Sequence, residues 1–183
     1  MIKEQQRKQE IGTVTKLDTL ENQARTVFLG IGSNLGNRFR NIKFSKYELY
    51  TNNIKIIKSS SYYETLSWPD PTKPKFINIV IEVQTFYSLQ SLLKICKIIE
   101  KKMGRKSGEK NSPRECDIDI IDYDGIKSKK EIFIPHKLMH KRNFVLIPLY
   151  EINKSWKHSI FKKNIKQLIN LLPDKDIQTI KQI

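Results

Sequence analysis

Apolar positions recur along this chain in two rhythms. VFLGIGSNLG, from Val27 to Gly36, reads as a buried strand running into a tight glycine-rich turn, and RNIKFSKYELYTN after it places Ile42, Tyr47 and Leu49 at helical spacing. IKIIKSSSYYET reads as a second strand. A proline-punctuated loop, SWPDPTKPK, separates it from a third, FINIVIEVQTF, in which Ile77, Ile79, Ile81 and Val83 alternate with Asn78, Val80 and Glu82. The rhythm then lengthens: Leu89, Leu92, Leu93, Cys96, Ile99 and Met103 form one face of a helix, with Ser88 as N-cap and Gly104 as stop. The basic loop RKSGEKNSPR leads into a fourth strand, CDIDII. Beyond the Asp124-Gly125 turn, EIFIPH is extended, and FVLIPLYEI and NIKQLINLLP read as helical segments or their beginnings.

The order strand, helix, strand, strand, helix, strand predicts an α+β fold, a ferredoxin-like sandwich in which helices pack on an antiparallel sheet. Residues 1–25 are polar, with apolar positions only at Ile11, Val14, Leu17 and Leu20, and are expected to be a flexible extension or a short docking helix. The domain is placed at 26–173, with a C-terminal tail at 174–183. With 183 residues, 38% of them hydrophobic, the chain can bury a sizeable core.

No stretch of about 18 apolar residues marks a membrane span. MIKEQQRKQEIG lacks the apolar core of a secretory signal, so a cytoplasmic protein is expected. Cys96 and Cys116 have no metal-ligand spacing and read as reduced core residues. The net charge of +15 suggests affinity for polyanions, but its lysines are spread along the whole chain, so it does not by itself mark a nucleic-acid site. GIGSN falls short of a dinucleotide-binding turn, because Gly36 arrives late and no acidic partner follows at the expected strand end.

The fourth strand carries the chemistry. Side chains alternate along a strand, so Cys116, Ile118 and Ile120 face a core while Asp117 and Asp119 share the other side. Two carboxylates on one face read either as a solvated surface or as ligands for a hard divalent cation such as Mg²⁺, which binds through one or two carboxylates plus substrate phosphates. Arg105, Lys106, Lys110 and Arg114 lie just upstream, where phosphates would need them.

VFLGIGSNLGNR, SSYYET, FINIVIEV, the block running from Gly104-Arg105 to PRECDIDII, IPH, and Arg142-x-Phe144 followed by PLYEI occur in an order and spacing that resembles the 6-hydroxymethyl-7,8-dihydropterin pyrophosphokinase family. The resemblance covers roughly residues 27–152. It implies transfer of a pyrophosphoryl group from ATP to a pterin alcohol in folate biosynthesis, with two Mg²⁺ ions held by Asp117 and Asp119. It further implies catalytic roles for Arg105 and Arg114. Nucleotide contacts would come from Lys110, Arg114, Ile120, His136 and Arg142, and a pterin pocket from Thr65, Phe76, Asn78 and Phe144. ATP and the pterin would be the partners of a monomer, with no membrane and no nucleic acid.

The sequence departs from the family in the loop between Arg105 and Asp117, where Ser107, Lys110 and Asn111 stand for the usual second arginine and the R-W of R-W-G-P-R. Lysine replaces arginine as a point charge but not as a bidentate fork. Trp68 also stands in the loop T-L-S-W-P, where the family often has a proline and a glycine. Two other functions are compatible with parts of the pattern: a non-catalytic pterin- or ATP-binding descendant, and a basic RNA-binding ferredoxin-like module. The second lacks the aromatic strand motif of such modules. Read by themselves, Phe76 and Phe144 are equally core aromatics, and Arg105 is equally a helix-terminal cation.

Overall fold

The structure, a computed structural model, describes residues 23–105 and 112–183. Its principal sheet is built on two long strands, β1 (Arg25–Ser33) and β4 (Phe76–Thr85), antiparallel in a register that places Leu29 opposite Ile81 and Gly32 opposite Asn78. On the other side of β1 lies the edge strand β5 (Asp117–Tyr123), and on the other side of β4 lie β2 (Lys55–Ser59) and β3 (Tyr63–Thr65). The order is that of a ferredoxin-like α+β sandwich.

The segment 54–65 forms two strands rather than the single one its pattern predicts. Between Ser59 and Tyr63 it advances four positions while β4 passes only from Ile81 to Asn78, so one residue is surplus. Ser60 fills the break: its N–H donates to Val80 O, and its hydroxyl accepts from Val80 N–H at 3.0 Å in place of a main-chain partner.

One face of the sheet is covered by α1 (Arg38–Thr51) and α2 (Leu89–Lys102). Leu29, Ile31, Ile77, Ile79, Ile81, Ile118 and Ile120 from the strands pack there on Ile42 and Leu49 of α1 and Leu92, Cys96 and Ile99 of α2. Burying each such aliphatic side chain contributes about 1.5–3 kcal/mol. Ser88 caps α2 by accepting from Ser91 N–H at 3.2 Å, and Gly104 follows the helix at φ +101°, where a side chain would be strained.

The described residues cover the other face at one end only. Phe28, Val80 and Ile121 pack there against Val145, Leu146 and Leu149 of α3 (Asn143–Ile152), Trp156, and Ile165 and Leu168 of α4 (Ile165–Ile169). A bulge in β5 makes this possible. Leu29 pairs with Ile120 but Phe28 pairs with Asp122, so Ile121 is the extra residue and joins the second face.

Two short strands, β6 (Ser128–Lys129) and β7 (Phe133–Ile134), pair with each other. The last ten residues hold α5 (Asp174–Gln178) and β8 (Lys181–Gln182), which pairs with β3. Cys96 and Cys116 are free and buried, and burial pushes both thiols up to about 12. Among the described residues, no helix is long and apolar enough to cross a membrane.

Candidate active site

Among the described residues the second sheet face is left open beyond the N-terminal end of α3, and the sequence places the predicted chemistry there. Asp117 and Asp119 leave β5 on this face, opposite Gly32 and Gly30 of β1. Asn78 lies across β1 on β4, also opposite Gly32. The two glycines are the floor of the site and not the turn predicted for them. A Cβ on Gly32 would lie 2.7 Å from Asn78 Oδ1 and 3.3 Å from Phe76 Cδ1, and one on Gly30 would lie 3.3 Å from Ile121 Cδ1. The turn comes after Ser33, where Gly36 takes φ +64°.

Three guanidiniums meet the two carboxylates. Arg105 Nη1 donates to Asp117 Oδ1 at 2.6 Å, and Arg114 Nη2 donates to Asp117 Oδ2 at 2.7 Å. Arg142 Nη1 donates to Asp119 Oδ2 at 2.8 Å, with His136 Nε2 3.9 Å from the same oxygen. Burial alone would push the Asp117 carboxyl up, but Arg114 and Arg105 outweigh it and hold the group below its ordinary value.

His136 is held below its ordinary value chiefly by burial and further by Arg142, against the opposing pull of Asp119. Its Nδ1 accepts from Leu138 N–H at 3.2 Å, so the neutral ring turns an Nε2–H toward Asp119.

Beside the carboxylates is a cavity lined by Thr65, Leu66, Trp68, Phe76, Asn78 and Phe144 together with Arg114, Asp117 and Arg142. Buried Asn78 donates to Thr65 Oγ1 at 2.8 Å. The Arg114 guanidinium lies 5.4 Å from the Phe76 ring centre, and that of Arg142 lies 5.4 Å from Trp68 and 5.5 Å from Phe144. Among the described residues, the buried Nε atoms of Arg114 and Arg142 have no hydrogen-bond partner.

The structure thus gathers Asp117, Asp119, Arg105, Arg114, His136, Arg142, Thr65, Phe76, Asn78 and Phe144 in one cleft. Ile120 does not join them. It is 5% exposed and faces the opposite side of the sheet, in the core under α1 and α2, because strand alternation turns it away from its aspartate neighbours. Lys110, Ser107 and Asn111 lie outside the described residues.

Sequence reasoning did not pick out Leu66, Gly30, Gly32 or Asn34. Asn34 Oδ1 accepts from Arg114 N–H at 2.7 Å and its Nδ2 donates to Pro74 O at 3.1 Å, tying the end of β1 to both flanking loops. The Gly-x-Gly-Ser-Asn string held that signal, since alternate glycines within a strand mark a close approach.

Residues 28–154 match the family described as 7,8-dihydro-6-hydroxymethylpterin-pyrophosphokinase (HPPK). The Aquifex aeolicus 2-amino-4-hydroxy-6-hydroxymethyldihydropteridine pyrophosphokinase is 38% identical over 143 residues, 78% of this chain and 89% of that protein. The mitochondrial folate synthesis bifunctional protein of Arabidopsis thaliana is 34% identical over 137 residues, 73% of this chain but only 25% of that one. The crystal structure of a point variant of Plasmodium falciparum HPPK-DHPS with pteroate superposes with a TM-score of 0.68 at 17% identity, covering 89% of this chain and 47% of that chain. The chain belongs to the 7,8-dihydro-6-hydroxymethylpterin-pyrophosphokinase family.

Proposed function

We propose that the open end of the second sheet face binds ATP and 6-hydroxymethyl-7,8-dihydropterin side by side, with Asp117 and Asp119 at their junction. The chain is an ATP-dependent diphosphotransferase of folate biosynthesis. Its reaction passes the β,γ-pyrophosphoryl group to the pterin's hydroxymethyl oxygen: an oxygen–phosphorus bond forms at the β-phosphorus, the bond from that phosphorus to the α,β-bridging oxygen breaks, AMP leaves with that oxygen, and the hydroxyl proton passes to solvent.

The observation that carries the site assignment is the pair of buried Nε–H donors on Arg114 and Arg142 that find no acceptor among the described residues. A buried donor without an acceptor is costly, and phosphate oxygens would satisfy both.

The donor set also fits Mg²⁺: two carboxylates on one strand face, both partly open to solvent. Asp117 and Asp119 would hold the metal, two ions being the number the resemblance implies. When bound, Mg²⁺ supplies charge neutralisation on the triphosphate.

The chain's own residues do the rest. Arg105, Arg114 and Arg142 exchange carboxylate for phosphate partners. Neutral His136 donates from Nε2. Phe76 and Phe144 take the flat pterin against their faces, and Asn78, oriented by Thr65, reads its polar edge. Lys110 completes the nucleotide contacts in this reading, and Ile120, which faces the core, is left out of them. The same reading takes the chain as a cytoplasmic monomer.

The test is AMP release from ATP and Mg²⁺, with and without the pterin. Pterin-dependent AMP is expected; a folded, ATP-binding protein that releases none would instead be a non-catalytic descendant. The RNA-binding alternative has no support from the relatives.

A further inference from the structure

Glu100, near the C-terminal end of α2, is 1% exposed yet carries a carboxylate, and the reaction as derived above gives it no task. Its partners explain where it acts. Oε1 accepts from the backbone N–H of Ile118 at 2.8 Å, and Ile118 is the residue between the two aspartates. Oε2 lies 2.7 Å from Arg105 Nη1, the same nitrogen that reaches Asp117 at 2.6 Å. Lys97 Nζ, half exposed, closes the group at 2.9 Å from both oxygens.

Among the described residues β5 is an edge strand, paired with β1 alone, so the Ile118 N–H would otherwise have no strand to donate to. Glu100 supplies that acceptor from the helix below and thereby fixes where both aspartates emerge. A buried carboxylate is tolerable only when fully paired, and here the pairing engages the Arg105 nitrogen that meets Asp117.

We infer that Glu100 is a positioning residue for this reaction: it holds the Asp117–Asp119 segment through Ile118 and aims Arg105 at Asp117. The inference rests on the pyrophosphokinase reading for what the aimed groups do, and on geometry alone for the aiming.

Glu100→Gln tests it, because the amide oxygen still accepts from Ile118 while the amide nitrogen turns a donor toward Arg105. The expected result is a fall in kcat of about tenfold to a hundredfold, the scale of one charge-assisted contact, and weaker Mg·ATP binding by calorimetry, with the circular dichroism spectrum retained.

In an Arg105→Ala background, E100Q is expected to add less than about twofold, since the two act as a unit. Independent, multiplying effects would overturn the inference, as would wild-type kcat in E100Q. If E100Q fails to fold, Glu100→Asp keeps the charge but cannot reach both Ile118 and Arg105, and full activity in that variant overturns it too. Absence of AMP from the wild-type chain would sink the pyrophosphokinase reading instead; Mg·ATP affinity then decides for Glu100, equal values in wild type and E100Q counting against it.

Discussion

Arg142 donates to Asp119 at 2.8 Å while its guanidinium lies within 5.5 Å of two ring centres, Trp68 and Phe144. A residue assigned to phosphate is thereby bonded to a residue assigned to metal, and it rests on a ring assigned to pterin. The three binding functions are mechanically joined, which makes their separation by substitution informative.

Asp119 is the first case. Asp119→Asn keeps the volume and an acceptor for Arg142 but removes the charge that a hard cation needs. Pterin-dependent AMP formation is expected to fall by about a hundredfold or more. The circular dichroism spectrum should not change, because the side chain is 30% exposed and belongs to neither core cluster. A wild-type rate would sink the metal assignment.

Trp68 supports Arg142 from the loop side. Trp68→Ala removes one of the two rings flanking the guanidinium and is expected to raise the KM for Mg·ATP several-fold, by the roughly 0.5–1 kcal/mol of an exposed cation–π contact. Trp68→Phe should restore most of it. Steady-state kinetics of the two variants decide, and equal KM values in Trp68→Ala and wild type would refute the support.

Gly32 is the floor of the cavity proposed to take the pterin. In Gly32→Ala the new methyl meets Asn78 Oδ1 at 2.7 Å, so Asn78 must leave Thr65 or the strand must shift. Affinity for the pterin, measured by titration, should drop about tenfold, with a stability loss of about 1–3 kcal/mol on chemical denaturation. Retained pterin affinity would move Asn78 out of the pocket's recognition set.

The acid side of the stability profile has a separate source. Burial, helped slightly by His140, pushes His158 down to about 4, and its Nδ1 accepts from the N–H groups of Ile160 and Phe161 at 3.2 Å. Between its ordinary value near 6.5 and about 4, the unfolded chain takes up a proton that the folded chain refuses. Stability is therefore expected to be lost as pH falls through that window, on the order of 3 kcal/mol. Asp117 acts lower: its folded value is depressed, so its contribution is present above about 3.9 and is lost as pH falls through the folded value. His158→Asn, whose oxygen can accept in place of Nδ1, should flatten the 6.5-to-4 window in denaturant titrations while leaving the lower one; an unchanged slope would assign the loss elsewhere.

The sequence by itself determined the layers of this protein and the shared side of its two aspartates, while the other cleft residues were legible only through the resemblance to a family. Alternation in FINIVIEV set which residues enter the core, helical spacing in α2 set its buried face, and two aspartates at a period of two had to share a side. Those are consequences of local backbone geometry, which the chain carries in its order. Tertiary structure decided what depends on neighbours distant in sequence. The glycines of GIGSN became a floor because Asn78 and Phe76 cross above Gly32 and Ile121 closes over Gly30. The surplus residue near Ser60 split a strand because β4 dictates the register. Glu100 acquired its place because α2 ends under the edge of β5. Each of these is a contact between segments many residues apart, and no local pattern encodes the partner.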